Sequence, residues 1–514
     1  MFDLHTTHHT TPVPSADAGG PPSTTGNPQP FTPSPYQSAI FSFISAVDCG
    51  NAIVEAVAGS GKTTTLIHAA KLHPGAASSI FLAFNKSIAE ELRGRGVNAS
   101  TFHALSLNAL RPRLPGGFKI EGGKLHAIFR TIVHKDLQDD YADLPRLVSL
   151  GKNAALGLDG PVAADDFTPI LGNHDLTFPD EAKACEFAAR IFNLSADDTS
   201  TIDFDDMLWM AVARKAVFPY FDFIYVDEAQ DTNALQHYIL RAISHHRSRY
   251  IFVGDSRQAI YGFRGAGTDS MSYLSKAFHC TALPLSISYR CPQAVVHLAQ
   301  KYAPQIEASP SAPTGTVSTP EDWTISDIPS GAAILCRTTK PLIRMAYTFL
   351  RAGRRVQVLG RDICAGFKTT IKAAKGAHNL DSLISLLERK RDIESSRERG
   401  KNRIAKATAI EDRYDSLIYI LQSLDPHTPL KDIPREIDAL FADSPGAVQF
   451  STVHKAKGLE WNDVFILDFH RLMPLKYATE GWQLQQEYNI IYVAITRAKR
   501  SLTFIGSDNL RSDE

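Results

Sequence analysis

Short apolar runs alternate along this chain with stretches of helical spacing, and Gly, Pro and Asn punctuate the junctions. Ala52-Ile53-Val54 reads as a buried strand, and Thr65-Leu66-Ile67-His68-Ala69-Ala70 as the helix that follows it. Ser79-Ile80-Phe81-Leu82-Ala83-Phe84 is a second strand, after which Asn85-Lys86-Ser87 opens a helix. A third strand turns into a helix at Ala99-Ser100-Thr101-Phe102-His103-Ala104. Phe223-Ile224-Tyr225-Val226 and Tyr250-Ile251-Phe252-Val253 are two more continuous apolar runs. Strands alternating with helices predict an α/β architecture, in which ligands gather at the carboxyl ends of the strands. Residues 1–33, rich in Thr, Pro, Ser and Gly, bury too little apolar surface to offset ordering and read as a disordered tail. Order is expected to begin near Pro35-Tyr36-Gln37, ahead of a helix over Ser38 to Val47.

Ala56-Val57-Ala58-Gly59-Ser60-Gly61-Lys62-Thr63-Thr64 lies between the first strand and its helix. That order is what a phosphate-binding loop needs. Glycines let backbone N–H groups turn inward, and the helix start adds the positive end of its dipole. Lys62 is placed to reach β- and γ-phosphates, and the Thr63 hydroxyl to hold Mg²⁺. Ala56 stands where the usual pattern has its first glycine. A Gly/Ser-rich turn ahead of an ordinary helix would leave the lysine and the hydroxyl unexplained.

The run at Phe223 ends in Asp227-Glu228-Ala229-Gln230-Asp231, which sets two carboxylates at the sheet edge beside that loop. Asp227 suits Mg²⁺, and Glu228 suits orienting and deprotonating a water. The run at Tyr250 ends in Gly254-Asp255-Ser256-Arg257-Gln258, where Gln258 can sense a γ-phosphate. Beyond it, Ile260-Tyr261-Gly262-Phe263-Arg264-Gly265-Ala266 interleaves aromatics with an arginine. That is the chemistry of single-strand binding, although an aromatic pair beside a loop is as readily core. The Gln37 amide can read an adenine edge, although a surface glutamine at a helix start is the commoner case. Asp203, Asp205 and Asp206 crowd another helix start, where the dipole favours acidic residues; a metal site is the alternative.

Composition narrows the classes. A chain of 514 residues has room for two to four domains. Its net charge of −1 confines any nucleic-acid site to a local positive track. No apolar run approaches the ~20 residues of a membrane span, so no membrane partner is expected. Cys49, Cys185, Cys280, Cys291, Cys336 and Cys364 are scattered without a C-x-x-C pair. This argues against a zinc ribbon, an iron–sulfur cluster or a disulfide framework, and suits a reducing compartment. There is no basic start followed by an apolar stretch, so no secretory signal is expected. His5, His8 and His9 have no partner cluster nearby and read as tail composition.

In chain order, from about Phe31 to Ile505, these stretches resemble the motifs of the UvrD/Rep-type superfamily 1 helicases. Gln37 is similar to the Q motif and Gly59 to Thr64 to motif I. Phe84-Asn85-Lys86 and Thr101-Phe102-His103 are similar to motifs Ia and Ib. Val226 to Asn233 resembles motif II, Val253 to Ala266 motif III, and Leu285-Ser286-Ile287-Ser288-Tyr289-Arg290 motif IV. Phe450 to Trp461 resembles motif V, and Glu487 to Lys499 motif VI.

The resemblance implies two RecA-like parallel-sheet domains with ATP between them, 34–110 with 200–285 and 286–361 with 446–514. Helical insertions are implied at 111–199 and 362–445, and further strands at Ala332 to Cys336, Val356 to Leu359, Val464 to Leu467 and Leu502 to Ile505. It implies that Gln37, Ala58, Gly59, Ser60, Gly61, Lys62, Thr63, Thr64, Tyr289, Arg290, Glu460 and Arg497 hold ATP. Tyr289 would stack on the base and Glu460 bind the ribose. Arg290 and Arg497 would act as arginine fingers, neutralising charge on the transferring phosphoryl group. Chemistry would fall to Lys62, Asp227, Glu228, Gln258, Arg290 and Arg497, with Mg²⁺ on Thr63 and Asp227. Phe84, Asn85, Thr101, Phe102, His103, Tyr261, Phe263, Arg264, His454 and Lys455 would lie along single-stranded DNA. Phe263 stands where many relatives have Trp, and Thr64 where many have an Arg that touches the base.

The implied activity is an ATP-dependent DNA helicase or translocase acting on single strands and single–double-strand junctions, moving 3′ to 5′. Rivals are a translocase that strips proteins and unwinds little, a motor on RNA, and a nucleotide-switched binding protein without turnover. The expected location is the cytoplasm, with the nucleoid, in a bacterium or phage-infected cell, and the nucleus in a eukaryote. The charge runs Glu388 to Asp392 and Arg397 to Arg403 read as a solvated helix face, with duplex contact as the alternative. The chain ends soon after motif VI, so no fused nuclease domain is expected.

Overall fold

The computed structural model describes residues 32–46, 49–72, 78–138, 140–174, 176, 178–260, 270–400, 403–476, 478 and 481–511. Tyr261, Phe263, Arg264 and residues 1–31 of the expected tail lie outside them. The strands in chain order begin with β1 Asn51–Ala56, β2 Ser79–Ala83, β3 Ala99–Thr101, β4 Lys119–Ile120, β5 Thr201–Ile202, β6 Phe223–Val226, β7 Arg249–Gly254 and β8 Cys280–Leu285. They continue with β9 Ile287–Ser288, β10 Glu307–Ala308, β11 Thr316–Ser318, β12 Ala333–Cys336, β13 Val356–Val358, β14 Val448–Thr452, β15 Trp461–Leu467 and β16 Ala498–Ile505.

Twelve of them build two six-stranded sheets, ordered β3-β2-β6-β7-β1-β8 and β11-β16-β15-β12-β14-β13. Every pairing in both sheets is parallel. Parallel sheets carry helices on both faces, so their inner strands have no wet side. That is why β6 and β12 are apolar and buried at every position. Parallel pairing also brings Ala56, Ala83, Thr101, Val226 and Gly254 to one edge of the first sheet. One apolar cluster spans both sheets, joining Val57, Ala58 and Ile260 to Leu335, Val453 and Tyr492.

Helices separate the parts of each sheet in sequence. Lys124–Ile132, Leu144–Asn153, Thr168–Asn173 and Glu181–Asp197 precede the helix Phe204–Ala213, and β4 pairs with β5 beside them. Arg361–Ala373, Leu380–Gly400, Ile404–Gln422 and Ile433–Phe441 lie between β13 and β14. The charge runs of the second group are largely paired. Arg391 meets Asp415 at 2.7 Å and Arg399 meets Glu411 at 2.7 Å, while Arg397 and Arg403 reach Asp140 and Glu181 of the first group.

The acidic helix start at Asp203 to Asp206 proves structural. Asp203 caps the helix Phe204–Ala213. Asp206 is fully buried and takes Lys124 Nζ at 2.7 Å on one oxygen and Lys152 Nζ at 2.5 Å on the other. Burial pulls the Lys124 ammonium below the ordinary lysine range, although Asp206 pulls the other way. Removing the shared carboxylate leaves two ammonium groups buried without it. Asp206→Ala is therefore expected to cost about 3–5 kcal/mol of stability. Urea denaturation followed by helical circular dichroism checks this, and an unchanged midpoint contradicts it.

Candidate functional site

The site begins where β1 stops. Gly59 and Gly61 hold φ of 72° and 76°, left-handed values that only glycine adopts without strain. Gly61 starts the helix Lys62–Ala70 with no side-chain cap, and the first N–H groups of any helix lack intrahelical partners. Ser60 Oγ is buried with no hydrogen-bond partner among the described residues. Open amides, a helix start and an orphaned hydroxyl form a cradle that fits a phosphate chain.

Lys62 Nζ lies 2.8 Å from Glu228 Oε2, and Thr63 Oγ1 lies 3.1 Å from Asp227 Oδ2. A hydroxyl beside a carboxylate is the partial oxygen set that Mg²⁺ completes with water and phosphate oxygens. The described residues hold no group of three or more His, Cys, Asp or Glu suited to a metal, so such an ion would depend on its phosphate ligand. Glu228 itself is left-handed at φ 51°, a strain of about 1–2 kcal/mol for a non-glycine residue. Such outliers persist where the surrounding structure fixes them, and they cluster at working sites.

The charges of this pocket set one another. Burial alone would lower the Lys62 ammonium, but Glu228, Asp227 and Asp255 outweigh it and hold it above its ordinary value. Burial would raise the Glu228 carboxyl, but Lys62 and Lys457 overcome it and hold it at about 2. Asp227 moves the other way, raised by burial and then by its neighbour Glu228. Asp255 is pushed up to about 6 by burial, against the pull of Lys62. Gln258 Nε2 donates to Asp255 Oδ2 at 2.6 Å, which fixes the direction of the amide.

The second sheet domain closes over this pocket. Arg497 is 1% exposed, and its Nη2 reaches Gln258 Oε1 at 3.5 Å. The Ala58 amide donates to the buried Tyr492 hydroxyl at 2.9 Å, and the Tyr289 amide to the Gly59 carbonyl at 2.9 Å. Lys457 Nζ lies 2.6 Å from Asp231 Oδ2 and donates to the Gln258 carbonyl at 2.8 Å. Arg290 Nε lies 2.6 Å from Glu460 Oε2, and Glu460 also pairs with Lys499 at 2.9 Å. The residue expected on the ribose therefore holds the arginine expected on the γ-phosphate. The Tyr289 ring is half exposed, and Thr64 sits half-buried in the first turn of the loop helix.

Gln37 is buried, and both ends of its amide are occupied. Oε1 accepts from the Ser34 amide at 2.9 Å, and Nε2 donates to Thr65 Oγ1 at 2.9 Å. This is a capping box on the helix Pro35–Ser45, a Ser-x-x-Gln spacing that the sequence already carries.

Of the residues expected along a nucleic-acid strand, Phe84, Asn85, Thr101, Phe102 and His103 lie on the same edge of the first sheet. Phe84, 46% exposed, and Asn85 follow β2, where Asn85 caps the helix Lys86–Gly94. Thr101 caps the helix Phe102–Leu110 at the end of β3. Phe102 differs from expectation. It is 4% exposed and packs into the core beneath its helix, so it supports Thr101 and His103 rather than meeting a strand. His454 and Lys455, half-buried, follow β14 on the second sheet.

Sequence reasoning did not single out Asp255, Asp231, Lys457, Tyr492 or Phe204. Asp255 ends a buried strand as Asp227 does, so the same signal marked it. Phe204 is 59% exposed for an aromatic, and its ring stands 6.4 Å from that of His103. The partners of Lys457 and Tyr492 lie more than two hundred residues away, beyond the reach of local spacing.

The loop that fits a phosphate chain and the acidic pair after β6 lie at one end of the first parallel sheet, and Arg497, just ahead of β16 of the second, reaches them through Gln258. The chain belongs to the UvrD/REP helicase family. The UvrD/REP helicase N-terminal domain matches residues 42–279, and the UvrD-like helicase C-terminal domain matches residues 361–509. The chain is similar to the "ATP-dependent DNA helicase UvrD2" of Mycobacterium tuberculosis, 25% identical over 538 residues, covering 88% of this chain and 75% of that protein. It is also similar to the "Probable DNA helicase II homolog" of Mycoplasma pneumoniae, 23% identical over 592 residues, covering 89% and 82%. The "F-box DNA helicase protein 1" of Schizosaccharomyces pombe is 24% identical over 504 residues, covering 87% of this chain and 55% of that protein.

Gly59 tests the closure of the cleft. A Cβ there would overlap the Arg290 Cβ and come within 3.0 Å of the Ser288 hydroxyl. Gly59→Ala adds about 1–2 kcal/mol of left-handed strain to that overlap and should push Ser288 to Arg290 off the loop. Hydrogen exchange is expected to quicken at the Tyr289 amide, and unchanged protection there contradicts the contact.

Proposed function

We propose that this chain is an ATP-driven DNA helicase that moves along single-stranded DNA from 3′ to 5′ and unwinds duplex at single–double-strand junctions. Its strongest support is the division of one site between two sheets. Lys62, Glu228 and Gln258 stand on one side of the cleft, and Arg290 and Arg497 on the other. A ligand that engages both sides favours the closed cleft, and its loss favours opening.

In this reading the phosphates of ATP occupy the Gly59-to-Thr64 cradle, with Lys62 on the β- and γ-phosphates and the base against Tyr289. Thr63 and Asp227 would hold Mg²⁺, which neutralises charge on the transferring phosphoryl group. Phosphate oxygens compete with Glu228 for the Lys62 ammonium. Released from that ammonium, the Glu228 carboxylate becomes a stronger base and can orient and deprotonate the attacking water. Arg290 leaves Glu460 to meet the γ-phosphate, and Arg497 reaches it beside Gln258. Phe84, Thr101, His103 and Phe204 would grip the strand from the edge that also carries Asp227. Stacking on ring faces holds every base without sequence preference. His454 and Lys455 grip from the second sheet, and opening and closing moves one grip past the other.

Steady-state ATP hydrolysis with and without single-stranded DNA tests the proposal. Strong stimulation is expected in the wild type and none in Lys62→Ala. Glu228→Gln should still bind ATP while its turnover falls at least about 100-fold, the contribution of a lost general base. Absence of stimulation by DNA, greater stimulation by RNA, or displacement of bound protein without unwinding of a tailed duplex each contradicts the helicase reading.

A further inference from the structure

Three helix ends meet at Asn153, the last residue of the helix Leu144–Asn153 in the first insertion. Its Oδ1 accepts from Asn233 Nδ2 at 2.8 Å. Its Nδ2 donates to Asp205 Oδ1 at 3.0 Å and to the Ser149 carbonyl at 2.9 Å. Asn233 caps the helix Ala234–Ala242 through reciprocal bonds with Gln236, each 3.0 Å, and stands just beyond Asp231 and Thr232. Asp205 lies in the first turn of the helix Phe204–Ala213. Beside it is Phe204, whose ring meets His103 edge-on, and the Asp205 charge bears on the His103 imidazole.

The arrangement suits its charges. Two helices begin here and one ends, so two positive dipole ends face one negative end. A carboxamide offers both a donor and an acceptor, which this position needs. The acceptor holds the Asn233 amide, and the donor holds the Asp205 carboxylate. One side chain thus ties the helix after the acidic strand end to the helix that carries the ring beside His103. The neighbouring Lys152 is locked on Asp206, so the end of this helix has a fixed base.

We propose that Asn153 is a positioning residue that couples the strand track at His103 and Phe204 to the acidic strand end, so that a seated strand raises the rate of ATP turnover. The coupling rests on the motor reading above. A strand that shifts Phe204 and His103 shifts Asp205 with them. Asn153 passes the shift to Asn233 and so to the segment Asp227 to Asp231. Such coupling is reciprocal in binding: nucleotide on the loop alters strand affinity through the same amide.

The test uses the full chain, as wild type, Asn153→Leu and Asn153→Asp, with ATP hydrolysis measured across a titration of oligo-deoxythymidine. Leucine removes all three side-chain bonds at similar volume. Aspartate keeps an acceptor for Asn233 but sets a like charge against Asp205. The ratio of DNA-saturated to DNA-free turnover is expected to fall at least about fivefold in Asn153→Leu. Its KM for ATP, DNA-free rate and thermal midpoint should stay unchanged. Asn153→Asp is expected to lose stimulation as well and to need more DNA for half-stimulation. If the leucine variant does not fold, the aspartate variant decides alone. A wild-type ratio in the folded variants overturns the proposal, and so does an equal loss of DNA-free and DNA-saturated rates, the mark of plain structural support. A wild type that ignores DNA overturns the motor reading and the coupling together, an outcome distinct from a wild-type ratio in the variants.

Discussion

Charges buried in a cleft must be neutralised in place, and here the neutralising groups come from both walls. Lys62 answers Glu228 within the first sheet domain, while Lys457 reaches over from the second to answer Asp231. Leaving Asp231 without Lys457 would bury an uncompensated charge, the costly half of a buried ion pair. The electrostatics of the acidic strand end therefore depend on the second domain being in place. The Tyr492 hydroxyl on Ala58 and the Tyr289 amide on Gly59 bring the same dependence to the phosphate cradle.

Parallel pairing supplies the other half of the logic. All strands of the first sheet point the same way, so the cradle, the acidic pair, Gln258 and the residues after β2 and β3 share one edge. In the proposed reading, nucleotide chemistry and nucleic-acid contact differ only in which strand end of that sheet they use. Asn153 stands where the ends of three helices meet, one of them the helix that follows the acidic strand end.

Much of this was legible in the sequence because parallel strands buried on both faces announce themselves as short apolar runs. The residues that follow such a run lie at the ligand edge, which marks Asp227 and Glu228 after β6; Lys62 is marked by the glycine loop between the first run and its helix, and Gln258 stands four residues past Gly254. The runs at Ala332, Val356, Val464 and Leu502 fall on β12, β13, β15 and β16. What stayed hidden depends on contacts distant in sequence or on side-chain direction. No local pattern links Lys457 to Asp231 or Tyr492 to Ala58. Phe102 and His103 adjoin in sequence, yet one faces the core and the other the edge. Gln37 looked like a free amide, whereas the Ser34 spacing shows it to be a cap. Asp206 looked like part of a metal site or a dipole partner, but two buried lysines claim it.

In the proposed cycle, closing and opening this cleft moves the protein along a strand. Stopped-flow arrival measures that most directly. Protein is prebound to single strands of increasing length, each with a fluorophore at one end, and ATP is added with a trap for released protein. Movement from 3′ to 5′ produces a delay before the 5′-end signal that grows in proportion to strand length, and no such delay at the 3′ end. A delay that ignores length at either end, or grows only for the 3′ label, would contradict it.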